Sequence, residues 1–485
     1  MPFSWKNVKR ITEFLLVFLM TYNIINVHER AYQTGKDYCS FAAIMALIVL
    51  LLVVSGTDFK KWYTIVLFLA CIAGAITYIV VKDIGPDTYG VDYHKVVILK
   101  VFLFAVSVFS FVNAFCGRKK VEYLKSIIRV PFFWLSIFTF VLVAFVDREW
   151  VPFLCPFILV MLSKIDKDEW MVLADSFAAS YFLVFVLKFT HSLIVDPQGY
   201  DITGRYRGLF LNVSKVAAFS GVALVCVVYF FIRLVRAGKT VRFRIFCYIL
   251  IALMFAYSAV AFMMVRGRSG ELGLLISFMA AFAFLHGKEK TSATLARLAI
   301  LFGFLAVLII ATVIMANVLQ SKIQSGQLKY EDLSYSMAHI AALAGKGKSR
   351  GLFEAGTLAN ALDELSAQRL TTWKDLGRQI IPFGTIENAD YATHSTYLWW
   401  LVKYGLYPGT LIIIWFIIYI FLAAVQAVRK SPYVIFPLLW ATFYAGAFLP
   451  SNEYWKDPGG LMLLVFVYPL IAFWQRKSVY EIKNR

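Results

Sequence analysis

Charged residues are scarce in this chain: Asp, Glu, Lys and Arg together make up 16% of its 485 residues, whereas 60% are hydrophobic. A soluble domain of this length could not cover so much apolar surface with so few charges. Apolar runs of about 18 or more residues recur along almost the whole chain, which is typical of transmembrane helices. The sequence therefore predicts an all-α polytopic membrane protein.

Cysteines and familiar catalytic signatures are equally sparse. The six cysteines fall within or at the edges of apolar runs, so they indicate neither a disulfide framework nor a zinc site. No Walker loop occurs. The run AGKGKSRG at 344–351 could touch phosphate through its backbone N–H groups, but it is interpreted as a solvated turn. We expect no metal and no cofactor. The net charge of +19 comes mostly from short loops between apolar runs, so nucleic acid is not an expected partner.

The apolar runs predict about 12–14 transmembrane helices, whose ends are approximate. Basic residues concentrate in alternate short loops, as in Phe59–Trp62 and Gly117–Lys120, and the loops between them are acidic or neutral. Because Lys and Arg remain on the cytoplasmic side, both termini are predicted to be cytoplasmic. The predicted spans lie near 11–27, 39–55, 62–81, 97–116, 131–147, 149–163, 171–194, 213–233, 245–265, 271–286, 298–318, 396–427, 433–450 and 459–475.

Two segments on the predicted outer side are longer than the other loops. One covers about 196–212, and the other runs from about Gln320 to His394, about 75 residues. The second has apolar residues at helical spacing, so it is predicted to be a partly helical extracytoplasmic cap. These features divide the chain into four predicted parts: transmembrane helices in 1–195, a central transmembrane region in 196–318, the cap in 319–394 and transmembrane helices in 395–485.

Arginines occupy the outer membrane boundary, where the topological bias disfavours them. One pair precedes the span at 213, and the other lies in the short turn Val265–Glu271. A single such arginine is commonly a contact for lipid phosphate. Four on one side favour an anion site, because guanidinium groups bind phosphate through two hydrogen bonds. A lipid-linked phosphate or pyrophosphate is the predicted ligand of Arg205, Arg207, Arg266 and Arg268.

One histidine, His394, stands where the cap meets the span predicted for 396–427. An imidazole near the positive end of that helix could act as a general base for an acceptor hydroxyl. An interfacial histidine without a chemical role is the alternative. Upstream in the cap lie Arg369 and Trp373, which could support the cap or contact sugar.

The order of these motifs resembles that of the O-antigen ligase and O-antigen polymerase superfamily of bacterial membrane glycosyltransferases. The resemblance covers about residues 200–430. The chain departs from the family pattern at Gly267, Ser395 and Val213–Ser214. The matching motifs, in chain order, are GRYRGLFLN with Arg205, RGRSGELGLL with Arg268, RLTTW with Arg369 and Trp373, IPFG, and HSTYLWWLVKYGLYPG with His394.

The resemblance implies a metal-independent, GT-C-like enzyme at the outer face of the bacterial cytoplasmic membrane. Such enzymes transfer glycan from undecaprenyl pyrophosphate to an acceptor sugar hydroxyl on a glycan or glycolipid, in the synthesis of lipopolysaccharide and other polysaccharides of the cell envelope. By this resemblance, Arg205 and Arg268 would stabilise the leaving pyrophosphate and His394 would activate the acceptor. Ligase and polymerase use the same donor, so the sequence does not choose between them.

A transporter or flippase of lipid-linked oligosaccharide is the alternative from another class. A transporter is expected to carry polar residues near the middle of its spans and in both halves of the chain. Here the polar residues crowd the outer boundary of the C-terminal half. This distribution favours the enzyme.

Overall fold

The computed structural model describes 130–147, 167–200, 205–210, 213–236, 241–265, 267–285, 380–384, 395–428 and 434–448, with isolated positions in 8–22, 62–76, 303–325 and 374–378. Of these residues, 88% are helical and none forms a strand; Tyr200 and Tyr206 form an isolated antiparallel bridge. The all-α polytopic membrane architecture is confirmed. The total number of spans stays a prediction.

The principal described helices are numbered here in chain order. Those long and apolar enough to cross a membrane contain the segments Ala174–Val195, Val216–Leu234, Ile245–Val265 and Leu406–Val428. The full bounds are α1 Pro131–Asp147, α2 Lys167–Val195, α3 Val213–Arg236, α4 Val241–Val265, α5 Arg268–Leu285, α6 Thr396–Tyr404, α7 Leu406–Val428 and α8 Ile435–Ala447.

Glycines allow α3, α5 and α8 to pack closely. A Cβ atom on Gly273 of α5 would lie 2.7 Å from the carbonyl oxygen of Phe443 in α8, and one on Gly446 would lie 2.6 Å from that of Leu272. A Cβ atom on Gly221 of α3 would lie 2.6 Å from the Phe443 ring. Small residues at helix interfaces let membrane helices approach closely, and van der Waals packing then holds them together. These three helices therefore form the centre of the described bundle.

Side-chain contacts give the direction of each helix. Gly273 of α5 contacts Gly446 of α8, and Ser277 of α5 donates a hydrogen bond to the carbonyl of Leu439 in α8 at 3.0 Å. From the first contact to the second, α5 advances by four residues and α8 goes back by seven, so the two helices are antiparallel. On α2, Ser180 reaches the carbonyl of Phe14, and Lys188 lies over the ring of Tyr22. From the first contact to the second, both segments advance by eight residues, so the segment that contains Phe14 and Tyr22 runs parallel to α2.

The predicted span 396–427 is wrong as a single helix, because the chain turns back at Gly405. Gly405 has φ 91°, a conformation that glycine adopts without steric cost. Its missing Cβ would lie 2.7 Å from the Phe383 Cα atom, so the IPFG segment also requires glycine there. Gly409 brings α7 against the backbone of Trp400 and Leu401. The apolar run therefore folds into a helical hairpin, which hydropathy alone cannot reveal.

The short helix α6 lies alongside the first half of α7. The rings of Tyr397 and Trp400 contact that of Phe416, with centroids 6.4 and 6.1 Å apart. Phe416 is ten residues beyond the start of α7 at Leu406, a distance of about 15 Å along the helix axis. The first turn of α6 therefore lies within the bundle, well away from the hairpin turn.

Candidate functional site

The loop between α2 and α3 carries Arg205 and Arg207 on a tightly bonded backbone. The carbonyl of Gly199 accepts the N–H groups of both Arg207 and Gly208, each at 2.8 Å. Gly208 has φ 53°, and a Cβ atom on it would collide with Ser192 and Tyr206. The loop is therefore a defined structure, and its conformation requires glycine at 208.

Tyr206 anchors this loop to α2. Its side chain is fully buried, and its hydroxyl shares a 3.1 Å hydrogen bond with Ser192 Oγ and donates to the carbonyl of Asp196 at 3.1 Å. Ser192 Oγ also accepts the N–H of Leu209 at 2.9 Å. Burial raises the pKa of Tyr206 to about 12, and the nearby Asp196 carboxylate adds to the rise. The phenol therefore stays protonated at neutral pH and can keep these bonds.

The same tyrosine ties the loop to the end of α4. The backbone N–H of Tyr206 donates to the carbonyl of Met264 at 2.9 Å. Met264 lies one residue before the end of α4 and four residues before Arg268, where α5 begins. Arg205 and Arg207 flank Tyr206, so their backbone lies beside the α4–α5 turn. The structure thus brings the first two arginine motifs of the sequence together.

The four predicted arginines differ in their exposure and in their place relative to α5. Arg207 is 9% exposed and Arg205 is partly exposed. The backbone of Arg268 forms the first residue of α5, but its side chain lies outside the described residues, as does all of Arg266. The N-terminus of a helix carries a partial positive charge that favours anions. The arginine side chains and the N-terminus of α5 are thus both positive, and both favour an anion.

The start of α6 reaches the same end of the bundle. Thr396 donates its N–H to the carbonyl of Phe448 at 2.9 Å, and Ser395 Oγ contacts that carbonyl at 3.4 Å. Phe448 follows Gly446, which packs on Gly273 in the second turn of α5, and it continues in the direction of Arg268. Ser395, next in sequence to His394, therefore lies toward the start of α5.

Several predicted site residues fall outside the described part of the chain. His394, Arg266, Arg369 and Trp373 are among them, so their roles stay predictions. The IPFG segment, by contrast, is described: Leu406 donates its N–H to Ile381 at 2.8 Å, and Gly384 donates to Tyr404 at 3.2 Å. This motif of the predicted cap therefore holds the turn of the α6–α7 hairpin.

Two ionic features escaped the sequence analysis. Lys188 is 6% exposed within α2, and its Nζ lies 4.1 Å from the centroid of the Tyr22 ring. At the other end of the bundle, Arg233 of α3 binds the Asp175 carboxylate of α2 through Nε at 3.2 Å and Nη2 at 2.9 Å, and Tyr229 donates to the same carboxylate at 2.6 Å. The sequence signal that could have predicted both features is a charged residue next to or within an apolar run.

Among the described residues, no group of three His, Cys, Asp or Glu side chains is placed to hold a metal ion. Comparison of the chain with family models, curated proteins and solved structures finds no match.

Proposed function

We propose that this protein is a glycosyltransferase of the O-antigen ligase or polymerase type in the bacterial cytoplasmic membrane. Its donor is a glycan on undecaprenyl pyrophosphate, and its acceptor is a sugar hydroxyl of a glycan or glycolipid. The observation that carries the proposal is the 2.9 Å hydrogen bond from Tyr206 to Met264. It places the arginines of the α2–α3 loop beside the turn that leads to Arg268.

The arginines fit the leaving group of this reaction. The acceptor oxygen attacks the anomeric carbon, the bond from that carbon to the pyrophosphate oxygen breaks, and the pyrophosphate leaves with the electron pair. Negative charge therefore grows on the pyrophosphate as the transition state forms. Arg205, Arg207 and Arg268, aided by the positive end of α5, would stabilise this charge with no metal ion. Arg266 belongs to the same proposed set.

His394 is the proposed general base. It would take the proton that the acceptor hydroxyl loses as the new glycosidic bond forms. The position of Ser395 beside Phe448, toward the first turn of α5, supports this role. The proposed active site faces the outside of the membrane, and both termini are cytoplasmic. Arg369 and Trp373 are proposed to support the cap or to contact sugar.

Deletion of the gene, followed by analysis of lipid-linked glycans, tests the proposal. A lost polymerase leaves single-repeat intermediates on the lipid, and a lost ligase leaves long lipid-linked chains. Either result supports the glycosyltransferase and decides which of the two it is. Intermediates confined to the inner face of the membrane would identify a flippase instead. An unchanged profile would contradict both functions.

A further inference from the structure

Lys188 is a charged residue that directly follows the apolar run Tyr181–Leu187 of α2. It lies seven residues before the end of that helix at Val195, about 10 Å along the axis, and its side chain is 6% exposed. Its ammonium group lies over the face of the Tyr22 ring. A cation–π contact stabilises an ammonium ion where water is scarce. An ionisable group at such a position is costly, and membrane proteins commonly place one where it meets a ligand.

Lys188 lies one helical turn from the residue of α2 that anchors the arginine loop, which is the α2–α3 loop with Arg205 and Arg207. Ser192, four residues further along α2, bonds to Tyr206 and to the N–H of Leu209. Residues four apart lie on the same face of a helix, about 6 Å apart along the axis. Lys188 therefore lies on the same face as the anchor of Arg205 and Arg207, one turn deeper in the apolar part of the bundle.

This arrangement matches the order of groups in a prenyl diphosphate. The hydrocarbon chain enters the apolar layer, the first phosphate is esterified to it, and the second phosphate carries the sugar. A cation below the arginine loop would meet the phosphate nearest the hydrocarbon chain. Lysine offers a compact charge with three donors, which suits one phosphate group, whereas arginine suits recognition through two parallel bonds.

We propose that Lys188, held against Tyr22, binds the chain-proximal phosphate of the prenyl diphosphate donor, while the arginine loop binds the phosphate that carries the sugar. The inference rests on the proposed function, because it assumes a polyprenyl diphosphate donor. It adds a residue from outside the arginine and histidine motifs and gives the two phosphates separate partners.

Binding of geranylgeranyl monophosphate and geranylgeranyl diphosphate to the full-length protein in detergent tests the assignment. Lys188→Met is expected to weaken both ligands to a similar degree, about tenfold or more, since both contain the chain-proximal phosphate. Arg207→Met is expected to weaken the diphosphate more than the monophosphate. Lys188→Arg, which keeps the charge, should restore most of the affinity that Lys188→Met loses.

Two further arms separate this role from other roles of the same cation. Inorganic pyrophosphate has no chain to place it below the loop, so Lys188→Met should leave its affinity unchanged; an equal loss would overturn the chain-proximal assignment. Tyr22→Leu tests whether Lys188 has only a structural role. In that case, Lys188→Met and Tyr22→Leu would lower the melting temperature by the same amount, and neither would change the affinity for prenyl phosphates. That outcome would also overturn the inference. Lys403→Met, on α6, is the control for loss of one positive charge.

The failure of the inference can be told from the failure of the proposed function. Wild-type protein that binds no prenyl diphosphate would overturn the proposed donor and this inference together. Wild-type binding that persists unchanged in the Lys188→Met protein would overturn the inference alone. If Lys188→Met does not fold, Lys188→Gln supplies a neutral polar side chain of similar length for the same measurements.

Discussion

Arginine occurs at both ends of the described bundle, but the two ends hold it differently. At the clamp end, defined by Asp175, Tyr229 and Arg233, the guanidinium group bonds a carboxylate on the neighbouring helix. At the loop end, defined by the α2–α3 loop and the start of α5, the backbone and Tyr206 fix the positions of the arginines. Arg233 joins two helices, whereas at the loop end the backbone of Arg205 and Arg207 lies beside the turn that leads to Arg268.

The largest expected effect comes from removing the proposed catalytic groups. Arg268→Ala and His394→Ala should each lower glycan transfer by more than about 100-fold, because charge stabilisation or proton removal is lost. Both proteins should insert into the membrane and melt as the wild type does. Arg233→Ala is the matched control from the clamp end. It should lower the melting temperature and preserve transfer per folded molecule.

Transfer assays on purified protein with a lipid-linked donor check this difference between the two ends. Near-wild-type transfer by either loop-end variant would remove that residue from the mechanism. Loss of transfer in Arg233→Ala at an unchanged melting temperature would break the comparison itself, since the clamp would then have a chemical role.

The hairpin turn should give the next largest effect. Gly405→Ala forces a residue with a Cβ atom to φ 91° and places that atom 2.7 Å from the Phe383 Cα atom. We expect a loss of about 2–3 kcal/mol in the free energy of unfolding, with reduced transfer because the start of α6 shifts. Gly377→Ala is the control, because a Cβ atom there meets nothing within 4 Å. Equal melting temperatures for the two variants would show that the turn tolerates a side chain.

The clamp is expected to contribute less. Both side chains are about a third exposed, 34% for Arg233 and 36% for Asp175, so solvent weakens the pair. A double-mutant cycle with Asp175→Asn and Arg233→Met should give a coupling of about 1 kcal/mol in the free energy of unfolding. Additive effects of the two substitutions would show that the bidentate contact does not hold α2 to α3.

The smallest effect concerns the alkaline stability of the loop. Because the pKa of Tyr206 is raised from 10.0 to about 12, the protonated phenol stabilises the folded protein fully below pH 10. That contribution should fall as the pH rises from about 10 to about 12. Tyr206→Phe should remove this part of the pH dependence, and melting curves of both proteins across that range will measure the difference. Parallel curves would contradict a buried, bonded phenol at 206.

Much of the helical fold could be predicted because membrane helices must be apolar over a fixed length. The predicted spans 131–147, 213–233 and 245–265 match α1, α3 and α4 closely. The hairpin was missed because α6 and α7 form one apolar run, and only the backbone of Pro382 and Phe383 packed on Gly405 shows the turn. The arginine motifs could be predicted from their charge. The hydrogen bond from Tyr206 to Met264 could not be predicted, because it joins residues 58 positions apart in the chain.

The sequence by itself determined that this protein is an α-helical membrane protein, because 60% hydrophobic residues in long runs exclude a soluble fold. It also determined where arginines and a histidine interrupt those runs. Tertiary structure alone decided that Tyr206 and Met264 meet, that Arg233 is bound to Asp175, and that the chain turns back at Gly405. These outcomes depend on which distant backbone and side-chain atoms pack together, and a local pattern of hydrophobicity does not contain that information.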